Sequence, residues 1–317
     1  MLANRYRFAT CDCGFLAHNC AGRLRNPTIL ISVPRVNSNL KRQTTLLIAI
    51  CLFATAGCSS VGGSGSASLP DQRKVTRDSL VFHTNFYFPR RHRLVEELLA
   101  RRSDIESTLG LIPSDETIHI FLFEDREKFR GFLRERHPSF PDRRAFFLQS
   151  STNLLVYAHW NSRVAEDLRH EVTHAYVHSV IPQVPLWLDE GIAEYFEVPT
   201  SARGLNKTHL EYLTAEHEAG RWQPDLERLE SLQQAGEMSQ LDYAESWLWI
   251  HFMIHHSDRH QGLMQSYLQQ WQYDQLSKEE KLLPQLLQLD EDVSSALVDH
   301  LKSLASPYKL TSVEATE

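Results

Sequence analysis

His170-Glu171-Val172-Thr173-His174 and, further along, Trp187-Leu188-Asp189-Glu190-Gly191-Ile192-Ala193-Glu194-Tyr195 are the stretches whose reading decides the fold. The first spells H-E-x-x-H. On a helix, positions i and i+4 share one face, so both imidazoles can reach one metal ion. Glu171, next to the first histidine, can then take a proton from a water attacking beside that ion. A catalytic site of this kind wants a third protein ligand. Fifteen residues lie between His174 and Glu190. That spacing lets a first helix finish near Pro182 and a second begin near Pro185, bringing Glu190 over the histidine pair. His178 cannot join them as a shared ligand. It stands about 12 Å from His170 along the helix axis, whereas a Zn–N bond is about 2 Å.

With these residues in place the chain resembles the gluzincin metallopeptidases, and most of all the peptidase-MA-like domains of bacterial envelope proteins. The resemblance rests on residues 165–197, with a looser likeness in strand and helix order over 75–260. It implies Zn²⁺ held by His170, His174 and Glu190, with Glu171 as general base. It implies that Glu194 orients a ligand histidine from behind; the plainer reading is a solvated helix residue. It implies that Tyr243 hydrogen-bonds the oxyanion, against simple core packing. It also implies that Leu154–His159 pairs with the peptide backbone of a substrate, against an ordinary core strand. The G-x-M-E-N segment with which aminopeptidases hold a free N-terminus is absent, which disfavours an exopeptidase. Zinc follows from ligand type, and other divalent ions fit the same ligands.

The N-terminal part reads differently. Lys41-Arg42 precede the apolar run Thr44–Ala56, and Gly57-Cys58-Ser59-Ser60 follow. A basic segment, a short apolar stretch and small residues describe a secretory signal peptide; the run is too short for a comfortable membrane span. Ala56-Gly57-Cys58 resembles a bacterial lipobox, with Cys58 as the lipidated first residue of the mature chain. Ser59 after it resembles the context of lipoproteins sent to the outer membrane. Residues 1–35 show no clear periodicity and read as sequence ahead of a true translation start at Val36. All five cysteines, at 11, 13, 20, 51 and 58, lie at or before this box. A mature chain would have no internal disulfide and must be held by its core.

The formal net charge is −7, and seven Lys/Arg against one acid fall within residues 1–58, so the remainder is more acidic still. Such a surface disfavours nucleic acid and makes a lipid anchor the means of reaching a membrane. The organisation reads as leader and signal peptide over 1–57, lipidated cysteine and flexible tether over 58–74, a lobe of sheet plus zinc helix over 75–200, and a helical lobe over 201–317.

Leu80–His83, Thr117–Phe123, Ala145–Gln149 and Leu154–Ala158 read as strands. Arg91–Leu109, stopped by Gly110, and Asp125–Arg136 read as helices. Ser162 is placed to cap the zinc helix. Asp242–His256 reads as an apolar helix, with its histidines structural. The expected class is α+β: a small mixed sheet with helices, the H-E-x-x-H helix and the glutamate helix, then a mostly helical lobe. The expected function is zinc-dependent hydrolysis of peptide or protein substrates in the cell envelope, by a protein lipid-anchored to the outer membrane and facing the periplasm. The alternative is a non-catalytic envelope lipoprotein that binds a peptide or cell-wall partner.

Overall fold

Strands form where apolar residues saturate or alternate, and the helices that follow bury the two faces those strands create. The structure, a computed structural model, describes residues 8–9, 68–150, 152–273 and 280–314, with side chains described as far as 306. The expected signal peptide, Cys58 and most of the expected tether lie outside the described residues. In chain order the elements are β1 (Phe8–Ala9), β2 (Arg73–Arg77), β3 (Leu80–Thr84), α1 (Arg93–Leu109), β4 (Ile118–Phe123), α2 (Arg126–Arg136), β5 (Ala145–Gln149) and β6 (Leu154–His159). Then come α3 (Val164–His178), α4 (Leu186–Phe196), α5 (Lys207–Glu218), α6 (Leu226–Ser231), α7 (Gln240–His255), α8 (Asp258–Gln272), α9 (Leu283–Leu286) and α10 (Val293–Glu314). The class is α+β, a small mixed sheet followed by a helical lobe, as the sequence implies. Among the described residues no helix is long and apolar enough to cross a membrane.

The sheet order is β1-β5-β6-β4-β3-β2. Strands β3, β4 and β6 run parallel, and β2 and β5 are antiparallel to their neighbours. Alternation splits the side chains between two cores. Phe146, Leu148 and Tyr157 pack with Phe129, Phe132 and Leu133 of α2. Ala145, Phe147, Val156 and Ala158 face the larger core, with α1 and α3. In α1, Leu94, Leu98, Ile105 and Leu109 form the buried stripe. Gly110, at φ 67°, ends it in the left-handed conformation that glycine adopts without strain, its N–H donating to the Glu106 carbonyl.

Two local expectations are corrected. Leu154–His159 is not an edge: β6 is paired on one side with β4 and on the other with β5, so no backbone groups remain there for an added strand. Ser162 does not cap α3. Its N-cap is Arg163, and no side chain caps it. Arg73–Arg77, ahead of the first strand expected, forms an edge strand by antiparallel pairing to β3.

Candidate metal centre

Helices α3 and α4 carry the centre. Pro185 is the N-cap of α4, in an extended conformation just before the helix begins at Leu186. Gly191 lets α4 lie against α7, because a Cβ there would stand 2.6 Å from the Ser246 carbonyl oxygen and 2.7 Å from Ile250 Cγ1. This close approach holds Glu190, the residue before it, over the two histidines of α3.

The three expected ligands meet. His170 Nε2 and His174 Nε2 are 3.1 Å apart, and Glu190 Oε2 lies 3.6 Å and 3.7 Å from them. Ligands at about 2.1 Å on a tetrahedral ion stand roughly 3.4 Å from one another, so these separations suit one ion at their centre. His170 is 1 % exposed, and His174 and Glu190 are fully buried. The surroundings are rich in buried carboxylates. Glu171, Asp189, Glu190, Glu194 and Glu197 are each 7 % exposed or less. That much negative charge out of water is costly unless positive charge answers it. Buried His, Glu and Asp side chains here can therefore hold a metal ion.

Behind the ligands, carboxylates fix the imidazoles. His174 Nδ1 donates to Asp189 Oδ1 at 2.9 Å, and His170 Nδ1 donates to Glu197 Oε2 at 3.2 Å. Each bond leaves the Nε2 lone pair facing the ion position. Asp189 Oδ2 also accepts from His178 Nε2 at 2.8 Å, so His178 is a buried supporting residue rather than a ligand of the trio. Burial would raise the Asp189 carboxyl, but the charges and bonds of His174 and His178 outweigh it and hold it far below the usual carboxylate range. Burial also opposes a charged His170, yet Glu190 and Glu197 pull that imidazole well above its ordinary value.

Glu171 is 2 % exposed, and its Oε2 has no hydrogen-bond partner among the described residues. Burial pushes its carboxyl up to about 7, against the pull of His170 and His174. That places it where a group can take and return a proton near neutral pH.

Glu194 is buried in the same cluster, and its Oε2 accepts from His209 Nε2 at 2.8 Å and from Asn206 Nδ2 at 3.5 Å. The carboxylate on His170 Nδ1 is that of Glu197, one helical turn further on. Tyr243 is half-buried in the first turn of α7.

The sequence patterns do not single out Asp189, Glu197 or His209. Asp189 was legible in hindsight from its place beside Glu190; Glu197 and His209 meet only through the folding of α4 onto α5. Away from this centre, ligand atoms of His256, His260 and Asp290 also come within 4.8 Å of one another, which the sequence, read as isolated histidines, did not suggest. Among known proteins, no family model matches the chain and no curated protein is significantly similar to it.

Proposed function

We propose that the protein is a zinc-dependent metallopeptidase of gluzincin type that hydrolyses peptide bonds in the cell envelope. The observation that carries this is the buried triangle of His170, His174 and Glu190 with the Glu171 carboxyl beside it, free to move a proton. His170, His174 and Glu190 would hold the ion. When bound, it polarises a scissile carbonyl and acidifies water in its reach. Glu171 takes the proton of the attacking water as its oxygen bonds to the carbonyl carbon. It then delivers that proton to the amide nitrogen as the C–N bond breaks. Asp189 and Glu197 keep both imidazoles in the tautomer that presents Nε2. A structural ion would ordinarily take four protein ligands, and three converge here.

The lipobox-like Ala56-Gly57-Cys58 supports a lipid anchor at Cys58 and an outer-membrane, periplasm-facing location. The acidic mature sequence supports peptide or protein substrates rather than nucleic acid. The test compares wild type with Glu171→Gln in the full chain on an unstructured protein substrate. Cleavage by the first, and zinc without cleavage in the second, is the expected pair. Undiminished cleavage by Glu171→Gln would remove the mechanism.

A further inference from the structure

A cleft of about 410 Å³ adjoins the metal centre, walled by Phe147, His178 and Trp187 on one side and by residues 232–236 and Trp271 of the helical lobe on the other. Its size falls within the range of small-ligand pockets. It touches the centre through Asp189 and His178, and the Phe147 ring stacks 6.2 Å from that of His174.

Two donors on this cleft lack acceptors among the described residues. Arg143 Nε and Nη1 are out of contact with water and unpaired, and so is Trp187 Nε1, on a side chain 1 % exposed. Buried donors of native proteins find acceptors, and Arg143, half-buried as a residue, keeps these two nitrogens out of water. Of the local carboxylates, neither Asp189 nor Glu230 is bonded to these donors, and Glu230 Oε2 is itself buried and unpartnered among the described residues. Asp189 is held by His174 and His178, and Glu230 Oε1 accepts the Leu282 N–H, with Lys281 next in the chain. Burial pushes the Glu230 carboxyl up, toward its neutral form. Glu280 is exposed at the rim. Arg143 is also near enough to Glu171 for its charge to act on that carboxyl.

We propose that Arg143 and Trp187 are the receptor for a carboxylate of the substrate, so that peptides presenting a carboxylate at this cleft are the substrate class. This rests on the peptidase reading above. A guanidinium presents parallel N–H groups that match the two oxygens of a carboxylate, and the indole N–H adds a further donor. The positive charge also offsets the repulsion an acidic ligand would meet beside so many carboxylates. The carboxylate can be a chain terminus or an Asp or Glu side chain.

Calorimetric titration of the zinc-loaded full chain carrying Glu171→Gln separates these. The probes are acetylated peptides of one length: one ending in a free carboxylate, its amide, and the amide with Glu or with Gln inside. The expected result is binding about tenfold tighter for one carboxylate-bearing probe over its neutral partner. That preference disappears with Arg143→Ala and with the bulkier Arg143→Gln, while zinc content and melting temperature hold. Tighter binding of the free-acid probe assigns the terminus, and tighter binding of the Glu probe assigns the side chain. Equal binding of charged and neutral probes, or a preference that survives both substitutions, overturns the receptor. Zinc and peptide cleavage in the wild type without any carboxylate preference would overturn this receptor and leave the peptidase reading standing. Arg143-dependent carboxylate binding in a chain that cleaves no peptide would do the reverse.

Discussion

Asp189 Oδ1 accepts the Nδ1 proton of His174 at 2.9 Å, which ties the ligand helix α3 to the glutamate helix α4 one residue before Glu190. The same carboxylate holds His178, so a single buried group sets the tautomer of a ligand and anchors the end of α3. Asp189→Asn keeps the shape but loses the acceptor pair. It is expected to weaken metal binding about 10- to 100-fold while the chain stays folded. Competition against a fluorescent zinc chelator measures this, and an unchanged affinity would reduce Asp189 to a packing role.

Glu197 and Glu194 should separate in function. Glu197→Gln removes the carboxylate on His170 Nδ1 and is expected to weaken metal binding by a similar factor. Glu194→Ala instead strands His209 in the interior and is expected to cost about 3 kcal/mol of stability. Chemical denaturation and zinc competition on both variants test the division. Loss of metal affinity in Glu194→Ala with no loss of stability would reverse the two roles.

Gly191→Ala should disturb the centre without touching a ligand. The new methyl would press on the Ser246 carbonyl, which is backbone of α7 and cannot swing aside. A loss of about 1–3 kcal/mol is expected, along with weaker metal binding as α4 is displaced. A melting temperature equal to wild type would mean that α4 and α7 pack less closely than described.

Acid should destabilise the helical lobe through its buried histidines. Burial, then the charges of His256 and His255, pushes His300 down to about 4, and its Nε2 meets His251 Nδ1 at 2.9 Å. Its ordinary value is 6.5, so below that pH the unfolded chain takes up a proton that the folded chain refuses. The stability is present above pH 6.5 and is lost as pH falls toward 4, by on the order of 2 kcal/mol. Melting temperatures across this window should fall, and should fall less in His300→Gln. Identical pH profiles for the two proteins would contradict this.

The sequence carried the ligand set well because H-E-x-x-H and Glu190 are local patterns on two neighbouring helices. Helix periodicity and Pro185 were enough to bring them together. It carried the sheet well wherever strands were apolar, as in Thr117–Phe123, and missed Arg73–Arg77, whose strand state comes from pairing with β3. The supporting carboxylates were harder. Glu194 and Glu197 are both on the ligand side of α4 or at its end, and only the packing of α5, which brings His209 to Glu194, decides which one serves His170. Tyr243 depended on how α7 is rotated about its axis, and a helix apolar on every side gives no signal of that.

The most direct test is the metal content of the purified, zinc-supplied full chain beside His174→Ala. One zinc bound at the ligand centre of the wild type, lost in the variant, is the result expected from His170, His174 and Glu190 meeting as they do. A folded wild type that holds no metal, or a His174→Ala variant that keeps the same amount, would contradict the centre.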